Sequence, residues 1–295
     1  MASARPGTLY WAPEHTAKGR PMPVSDYLPR TLYTGHTVFI TGGSSGINLG
    51  IARSFAELGA QLGICGRDGD KAERAAEELR ATGAQVMAFS ADVRDYEALE
   101  LAMQQTREAL GPIGTLVAGA AGNFPCPAEE MSANGFKVVV DIDLLGAFNA
   151  ARAAFAQLKE TRGSIIFISA GQAFQPYAMQ AHVGAAKAGI DQLMKNLALE
   201  WGRYGIRCNS IAPGPIEGTE GVRRLVPEGA REELAQAIPL QRFGRPDDIG
   251  RVAAFLASPL AGYVTGCLLV ADGGQNLLGS GIWTQLLMRH ARKDG

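Results

Sequence analysis

The chain has 295 residues, 46% of them hydrophobic and 7% aromatic, and a formal charge of −1. That composition supplies a sizeable core, and its evenly mixed charges argue against nucleic acid or an anionic membrane as a partner. No window is apolar enough to span a bilayer, the opening MASARPGTLYWAPEH has no apolar targeting core, and the closing RHARKDG carries no Ser-Lys-Leu-type address, so a cytoplasmic protein is expected. Cys65, Cys126, Cys208 and Cys267 are far apart, form no C-x-x-C pair and read as buried free thiols; no metal site is expected.

Residues 1–34 hold Pro6, Pro13, Pro21, Pro23 and Pro29 among scattered aromatics, and read as an irregular arm. Regular alternation follows. TVFIT is a β-branched run of the buried-strand kind, succeeded at once by glycines and a helical stretch. QLGIC predicts a second strand, after which Ala72, Ala75, Ala76 and Leu79 fall on one face of a helix. AQVMAFSADV, GTLVAGAA and GSIIFISA predict strands three to five, IRCNSIAPG a sixth ending in a Pro-Gly turn, and CLLVADGG a late seventh. Between the fifth and sixth, Ile190, Leu193, Met194, Leu197, Ala198 and Trp201 mark the apolar stripe of a long helix. Apolar strands alternating with helices predict an α/β chain, a single domain over 35–295 with a doubly wound parallel seven-stranded sheet covered on both faces.

TGGSSGINLG (41–50) lies between the first strand and the first helix. In a Rossmann-type sheet a dinucleotide pyrophosphate sits at that turn, because glycines let the backbone approach and the helix N-terminus offers free N–H groups and its positive dipole end. Gly42, Ser44, Ser45, Gly46 and Ile47 are therefore candidate cofactor contacts. The second strand ends in CGRD. Arg67 there, rather than an acidic residue, suits a 2′-phosphate and favours NADP(H); the alternative is a solvated Arg paired with Asp68. Asp92, followed by Val93, is placed to accept from the adenine amino group or to cap the next helix.

TGGSSGI, ADV, AGAAGN, Lys187 within its helix, NSIAPGPI and LLVADGG occur in the order found in short-chain dehydrogenase/reductases, which residues 35–280 resemble. AAGNFPCPAEEMSANGFKVVVDIDLLGAFN and APGPIEGTEGVRRL are similar to the 2,4-dienoyl-CoA reductases, particularly the peroxisomal type. The resemblance implies NADPH-dependent reduction of unsaturated acyl-CoA thioesters and a homotetramer. It implies Arg94 and Arg224 for the CoA and Phe124, Ser132 and Asn134 along the substrate path; Asn123 beside Phe124 is a further substrate candidate, and Gln180 either contacts the thioester or faces solvent. Pro213, Gly214, Ile216 and Thr219 follow the sixth strand, where the turn is expected to close over the nicotinamide. A substrate lid is expected near 215–240.

The departures carry chemistry. Asn48 stands where the loop's third glycine belongs, so slightly wider helix–strand packing is expected there. The family's usual catalytic serine, tyrosine and asparagine fall on Ala170, Val183 and Asp143, and Lys187, which the family uses to hold the nicotinamide ribose, alone survives. Ketone reduction needs a phenol to protonate an alkoxide, and Val183 has no proton to give. Conjugate reduction instead collects charge on a thioester oxygen and places its proton on carbon. Lys187 and Asp143 are the expected working pair, with Asp143 as a mere tie between helices the alternative. His182 is a candidate substitute acid, against the favoured alternative of a neutral, satisfied histidine at the mouth of the helix, and Tyr177 is another possible donor. Two other readings stay open: a reductase of another enoyl or CoA thioester, and a catalytically silent NADP-binding protein.

Overall fold

TVFIT forms the central strand β1 (Thr37–Thr41), every residue of it buried. The computed structural model describes residues 23–225 and 231–279. Six further strands join β1: β2 (Gln61–Gly66), β3 (Val86–Ser90), β4 (Ile113–Ala118), β5 (Ser164–Ile168), β6 (Arg207–Pro213) and β7 (Leu268–Ala271). All pair in parallel, in the order β3-β2-β1-β4-β5-β6-β7. The order reverses between β1 and β4, where Thr41 lies beside Ala118. A crevice opens at that switch point, at the carboxyl ends of the strands.

The helices divide between the two faces. On one lie α1 (Gly46–Glu57), α2 (Gly69–Arg80) and α9 (Pro246–Ala257); their apolar sides share a core with Ile40, Leu62, Ile64, Ile166 and Ile211. On the other lie α3 (Tyr96–Leu110), α5 (Gly146–Thr161) and α6 (Ala181–Trp201), packed on Phe39, Leu116, Ile165 and Phe167. Two apolar faces on one sheet require this double cover. The short helices α4 (Ala133–Val140), α7 (Glu220–Leu225) and α8 (Arg231–Ala237) lie in the connections after β4 and β6. The α1–α9 contact is close because Gly50 faces Pro246, where a Cβ would stand 2.3 Å from the proline Cβ.

Two expectations change, and one gains detail. Residues 23–34, the described part of the predicted irregular arm, lie against the body: Val24 and Tyr33 are buried, and the Tyr33 hydroxyl donates to the Ala254 carbonyl of α9 at 2.5 Å. The rest of that predicted arm lies outside the described residues, as do residues 226–230 of the predicted lid. Cys65 and Cys208 are buried thiols, pushed up to about 12 by desolvation, but Cys267 is exposed and Cys126 half-buried. Asn48 uses the space that a glycine would leave. Its Nδ2 donates to the carbonyls of Gly119 (2.7 Å) and Gly42 (3.3 Å), and the side chain passes over Gly119, where a Cβ would collide with it.

Candidate active site

The glycine-rich turn leaves β1 at Gly42 (φ +68°) and enters α1 at Gly46 (φ +57°), conformations that a side chain would strain. Ser45 precedes the helix without capping it, so the first N–H groups of α1 are not claimed by its hydroxyl. Gly46 faces the Thr219 methyl, so the segment after β6 roofs this turn. Thr219 itself accepts from the Val222 N–H and donates to the Ile216 carbonyl, starting α7. Pro213 ends β6, and Gly214 passes so close to Asp272 that a Cβ would lie 2.7 Å from its Cα. A cavity of about 500 Å3 opens at Gly214 and Ile216, lined also by Pro239, Leu240, Arg242 and Asp272; neither Asp143 nor Lys187 borders it.

Arg67 is exposed just past β2 and makes no ion pair among the described residues. The alternative pairing with Asp68 is not formed, because the Asp68 carboxylate caps α2 by accepting from the Lys71 N–H. Lys71, which sequence reasoning passed over, donates from Nζ to the Ser45 hydroxyl at 3.0 Å. Its position four residues after Arg67 brings a second cation to the same turn once α2 lies beside α1. Asp92 is not the cap of α3, a role taken by Asp95. Instead the Arg94 guanidinium grips Asp92 through Nε and Nη2 (2.6–3.2 Å), holding its carboxyl below the usual range. Val93 is buried behind them, and its carbonyl accepts from Asn149 Nδ2. Residues expected to meet different ligands thus form one exposed pair. The donor set fits a phosphorylated dinucleotide: a glycine cradle, a free helix N-terminus and two cations at the end of β2.

Between α4 and α5 the helix widens into a π-helical turn, Asp141–Leu145, of the kind that redirects a side chain. It turns Asp143 inward, 1% exposed. Asp143 Oδ1 accepts from the Gly122 N–H at 2.7 Å, and Oδ2 faces Lys187 Nζ at 3.1 Å. Lys187, on α6, also donates to the Ile168 carbonyl at 2.9 Å. Gly189 lets α6 reach the π-turn, since a Cβ there would strike Leu144. The predicted pair is therefore assembled: a carboxylate and an ammonium in mutual contact, both buried, tied to the loop after β4 and to the end of β5.

Val183 lies one turn before Lys187, 3% exposed, in an apolar group with Val139 and Ala186 against Phe124 and Val138. A dry wall replaces the phenol. Ala170 opens the turn after β5, while the neighbouring Ser169 is buried and donates to Asp191 Oδ2 at 2.9 Å. Burial raises the Asp191 carboxyl, against the lowering effect of Ser169, Ser210 and Lys187.

Of the predicted substrate residues, Gln180 does not face solvent: it is buried, donating to the carbonyls of Met179 (3.0 Å) and Phe124 (3.4 Å). His182 is wholly buried against the Phe124 ring, 4.5 Å between centroids. Desolvation lowers its pKa, opposed by the Phe124 carbonyl and Asp143. Tyr177 is exposed at the rim near Gly171. Arg224 of α7 donates to the Asn123 carbonyl and pairs with Glu220 at 3.3 Å, tying α7 to the loop after β4. Ser132 caps α4 by accepting from Gly135, next to the Phe124 ring, and both Ser132 and Asn134 are exposed.

A family model described as enoyl-(acyl carrier protein) reductase matches residues 42–276. The chain belongs to the short-chain dehydrogenase/reductase family. It is 46% identical to a Saccharomyces cerevisiae protein named peroxisomal 2,4-dienoyl-CoA reductase [(3E)-enoyl-CoA-producing], over 84% of this chain and 87% of that one. A Bacillus subtilis protein named "Probable 2,4-dienoyl-CoA reductase [(2E)-enoyl-CoA-producing]" is 40% identical over 81% and 95% of the two chains. Among solved structures, a gluconate 5-dehydrogenase from Burkholderia cenocepacia in complex with NADP and tartrate superposes with a TM-score of 0.79, at 31% identity over 84% of this chain and 98% of that one. Among the described residues no helix of this reductase-family chain is long and apolar enough to cross a membrane. The yeast relative's name is peroxisomal, so it lends nothing to the cytoplasmic expectation.

Proposed function

We propose that the protein is an NADPH-dependent 2,4-dienoyl-CoA reductase. The observation that carries this reading is the buried Asp143–Lys187 pair beside Val183, in a chain 46% identical to a reductase of that name. The glycine turn and the N-terminus of α1 hold the pyrophosphate, Arg67 and Lys71 the 2′-phosphate, Asp92 with Val93 the adenine side, and Pro213, Gly214, Ile216 and Thr219 the nicotinamide side. Arg94 and Arg224, both exposed at the rim, meet the CoA, and Phe124, Gln180 and Asn123 border the acyl chain. Ser132 and Asn134 reach the substrate only at its outer end.

The bound nicotinamide supplies a hydride to the far end of the conjugated diene. Charge then gathers on the thioester oxygen, and the substrate carbon needs one proton. An ammonium has three donors. Lys187 gives one to Ile168 and directs one toward Asp143, leaving one for the ribose or the substrate oxygen. Asp143 Oδ1 is held by Gly122, so Oδ2 is the oxygen that orients or passes the proton. Val183, Val139 and Ala186 keep the opposite wall dry, which confines proton delivery to the Asp143 side. An alkoxide would find no phenol here, and ketone reduction is disfavoured.

The relatives' names differ in the carbon that takes the proton. Protonation next to the thioester gives a (3E)-enoyl product, the one named for the yeast protein, and is the outcome proposed here. The test is NADPH oxidation with 2,4-hexadienoyl- or 2,4-decadienoyl-CoA, with the product's double bond located. A saturable rate well above that for a matched 3-ketoacyl-CoA is expected, falling about a hundredfold or more in Asp143→Ala with NADPH affinity kept. Tight NADPH binding without dienoyl-CoA turnover would overturn the reading. Unchanged turnover in Asp143→Ala would remove Asp143 from it.

A further inference from the structure

Several buried polar atoms around the Asp143–Lys187 pair lack hydrogen-bond partners among the described residues. They are Asn123 Oδ1, Gln180 Oε1 and both ring nitrogens of His182; Asp143 Oδ2 beside them is met by Lys187 Nζ at 3.1 Å. They belong to one place. Asn123 follows Gly122, which binds Asp143; Gln180 donates to the Phe124 carbonyl; and His182 stacks on the Phe124 ring. The Phe124 carbonyl stands near the His182 ring without completing a well-formed bond to it. Asp143, Gln180 and His182 are all at least nine-tenths buried.

The inventory of donors and acceptors says what belongs among them. Two amide oxygens offer only lone pairs, and a neutral imidazole offers one donor and one acceptor. The set is short of donors. A small molecule with two O–H donors and free lone pairs satisfies it, and an apolar group does not. Buried water typically makes about three such bonds. Leaving this many buried polar atoms unpaired in one pocket would tax a marginally stable chain.

We propose that His182 is a positioning residue that holds a water between its ring, Gln180 Oε1 and Asn123 Oδ1 and through it returns a proton to the Asp143–Lys187 pair after each turnover. The proposal rests on the conjugate-reduction reading above, which consumes one solvent proton per hydride. Once a proton has passed to the substrate carbon, the pair is one proton short. An O–H bond of the water breaks as Asp143 Oδ2 takes that proton. The hydroxide is made good by a proton arriving from solvent through water, while His182, buried and neutral, remains a hydrogen-bond partner that fixes the held water and transfers no net proton. Burial favours a neutral ring, the form that can both donate and accept a hydrogen bond. The apolar wall at Val183 leaves this polar side as the route for the proton.

His182→Phe keeps an aromatic ring against Phe124 and removes both nitrogens, whereas His182→Asn keeps a donor and an acceptor. Turnover of 2,4-hexadienoyl-CoA is measured with NADPH deuterated at the transferred position, in H2O and in D2O. In His182→Phe we expect kcat to fall about tenfold or more with the Kd for NADPH unchanged. The primary isotope effect should shrink toward one while the solvent effect grows, because proton return has become limiting. His182→Asn should recover part of the rate. A His182→Phe enzyme with wild-type kcat and isotope effects overturns the relay. If that variant fails to fold, 15N-histidine NMR of the wild type decides: a ring nitrogen in contact with water supports the proposal, and a dry ring overturns it. A wild type that reduces no 2,4-dienoyl-CoA sinks the functional reading and the relay together; a working wild type with an indifferent His182→Phe sinks the relay alone.

Discussion

At the scale of single residues, the site divides into positions that sequence spacing exposes and positions that only packing exposes. Lys187 and Asp143 were legible: each stands at a motif position whose neighbours are intact, and the loss of the tyrosine and serine directs attention to them. Lys71 was not legible, because nothing in RDGDK says that its ammonium folds back onto Ser45; that contact needs α2 laid beside the glycine turn. The Asp92–Arg94 pairing was missed for the opposite reason, since a two-residue spacing suggests separate ligands until the loop closes them into one ion pair. Arg67 and Lys71 carry a prediction on coenzyme choice. Each is placed to make a charge-assisted bond to a 2′-phosphate, worth about 1.5–3 kcal/mol. Arg67→Ala should therefore weaken NADPH binding roughly tenfold to a hundredfold, Lys71→Ala less, and neither should change NADH binding by more than about twofold. Fluorescence titration with both coenzymes checks this, and equal losses for NADH and NADPH would remove the 2′-phosphate role.

At the scale of elements, the strands were legible because burial on both faces forces apolar β-branched runs, and TVFIT, SIIFI and the apolar half of IRCNSIAPG satisfy that demand with few residues to spare. The π-turn at Asp141–Leu145 was not, because DIDLLG has ordinary helical periodicity, and the close approach of α6 at Gly189 to Leu144 is a tertiary contact that no local spacing announces. The start of β1 shows how a tertiary tie becomes a pH response. His36 fits over Gly114, where a Cβ would lie 2.3 Å from its Cε1, and its Nε2 meets the Thr115 hydroxyl of β4 at 2.9 Å. Burial lowers the pKa of this ring below its ordinary value. In the unfolded chain the imidazole takes up a proton near pH 6.5, while in the folded chain it stays neutral to lower pH. The unfolded state then binds more protons, so the stability is fully present above about pH 6.5 and is lost as the pH falls toward the folded value. His182 is lowered in the same direction. Urea unfolding from pH 8 to pH 5 should show constant stability above pH 7. Below pH 6.5 it should decline by up to about 1.4 kcal/mol per pH unit for each such histidine. His36→Gln, which can still bond Thr115, should make that decline shallower, and an unchanged slope would show that His36 is not its source.

At the scale of the whole molecule, a single chain leaves surface that its own fold does not explain. β7 closes the sheet with four apolar residues only half-buried, LLVA, whereas β1, β4 and β5 are buried throughout. Beside that edge Leu260 and Tyr263 are 72% and 104% exposed. On the other face of the sheet, the end of the π-turn and α5 turn Leu145 and Phe148 outward, both more than two-fifths exposed, and α6 carries Leu199 at 84%. Lone exposed apolar residues are ordinary, but side chains gathered on a sheet edge and on two long neighbouring helices mark association surfaces. Two distinct surfaces, each repeated by a two-fold axis, close a dihedral tetramer, whereas one alone would stop at a dimer. The proposed homotetramer should therefore sediment at about four times 31.1 kDa. Phe148→Glu would place a charge in the helical contact and should leave a dimer held by the β7 edge, and Tyr263→Glu a dimer held by α5 and α6. Analytical ultracentrifugation of the three proteins distinguishes the cases. A wild type that sediments as a monomer would overturn the tetramer; a tetramer indifferent to both substitutions would place the contacts elsewhere on the surface.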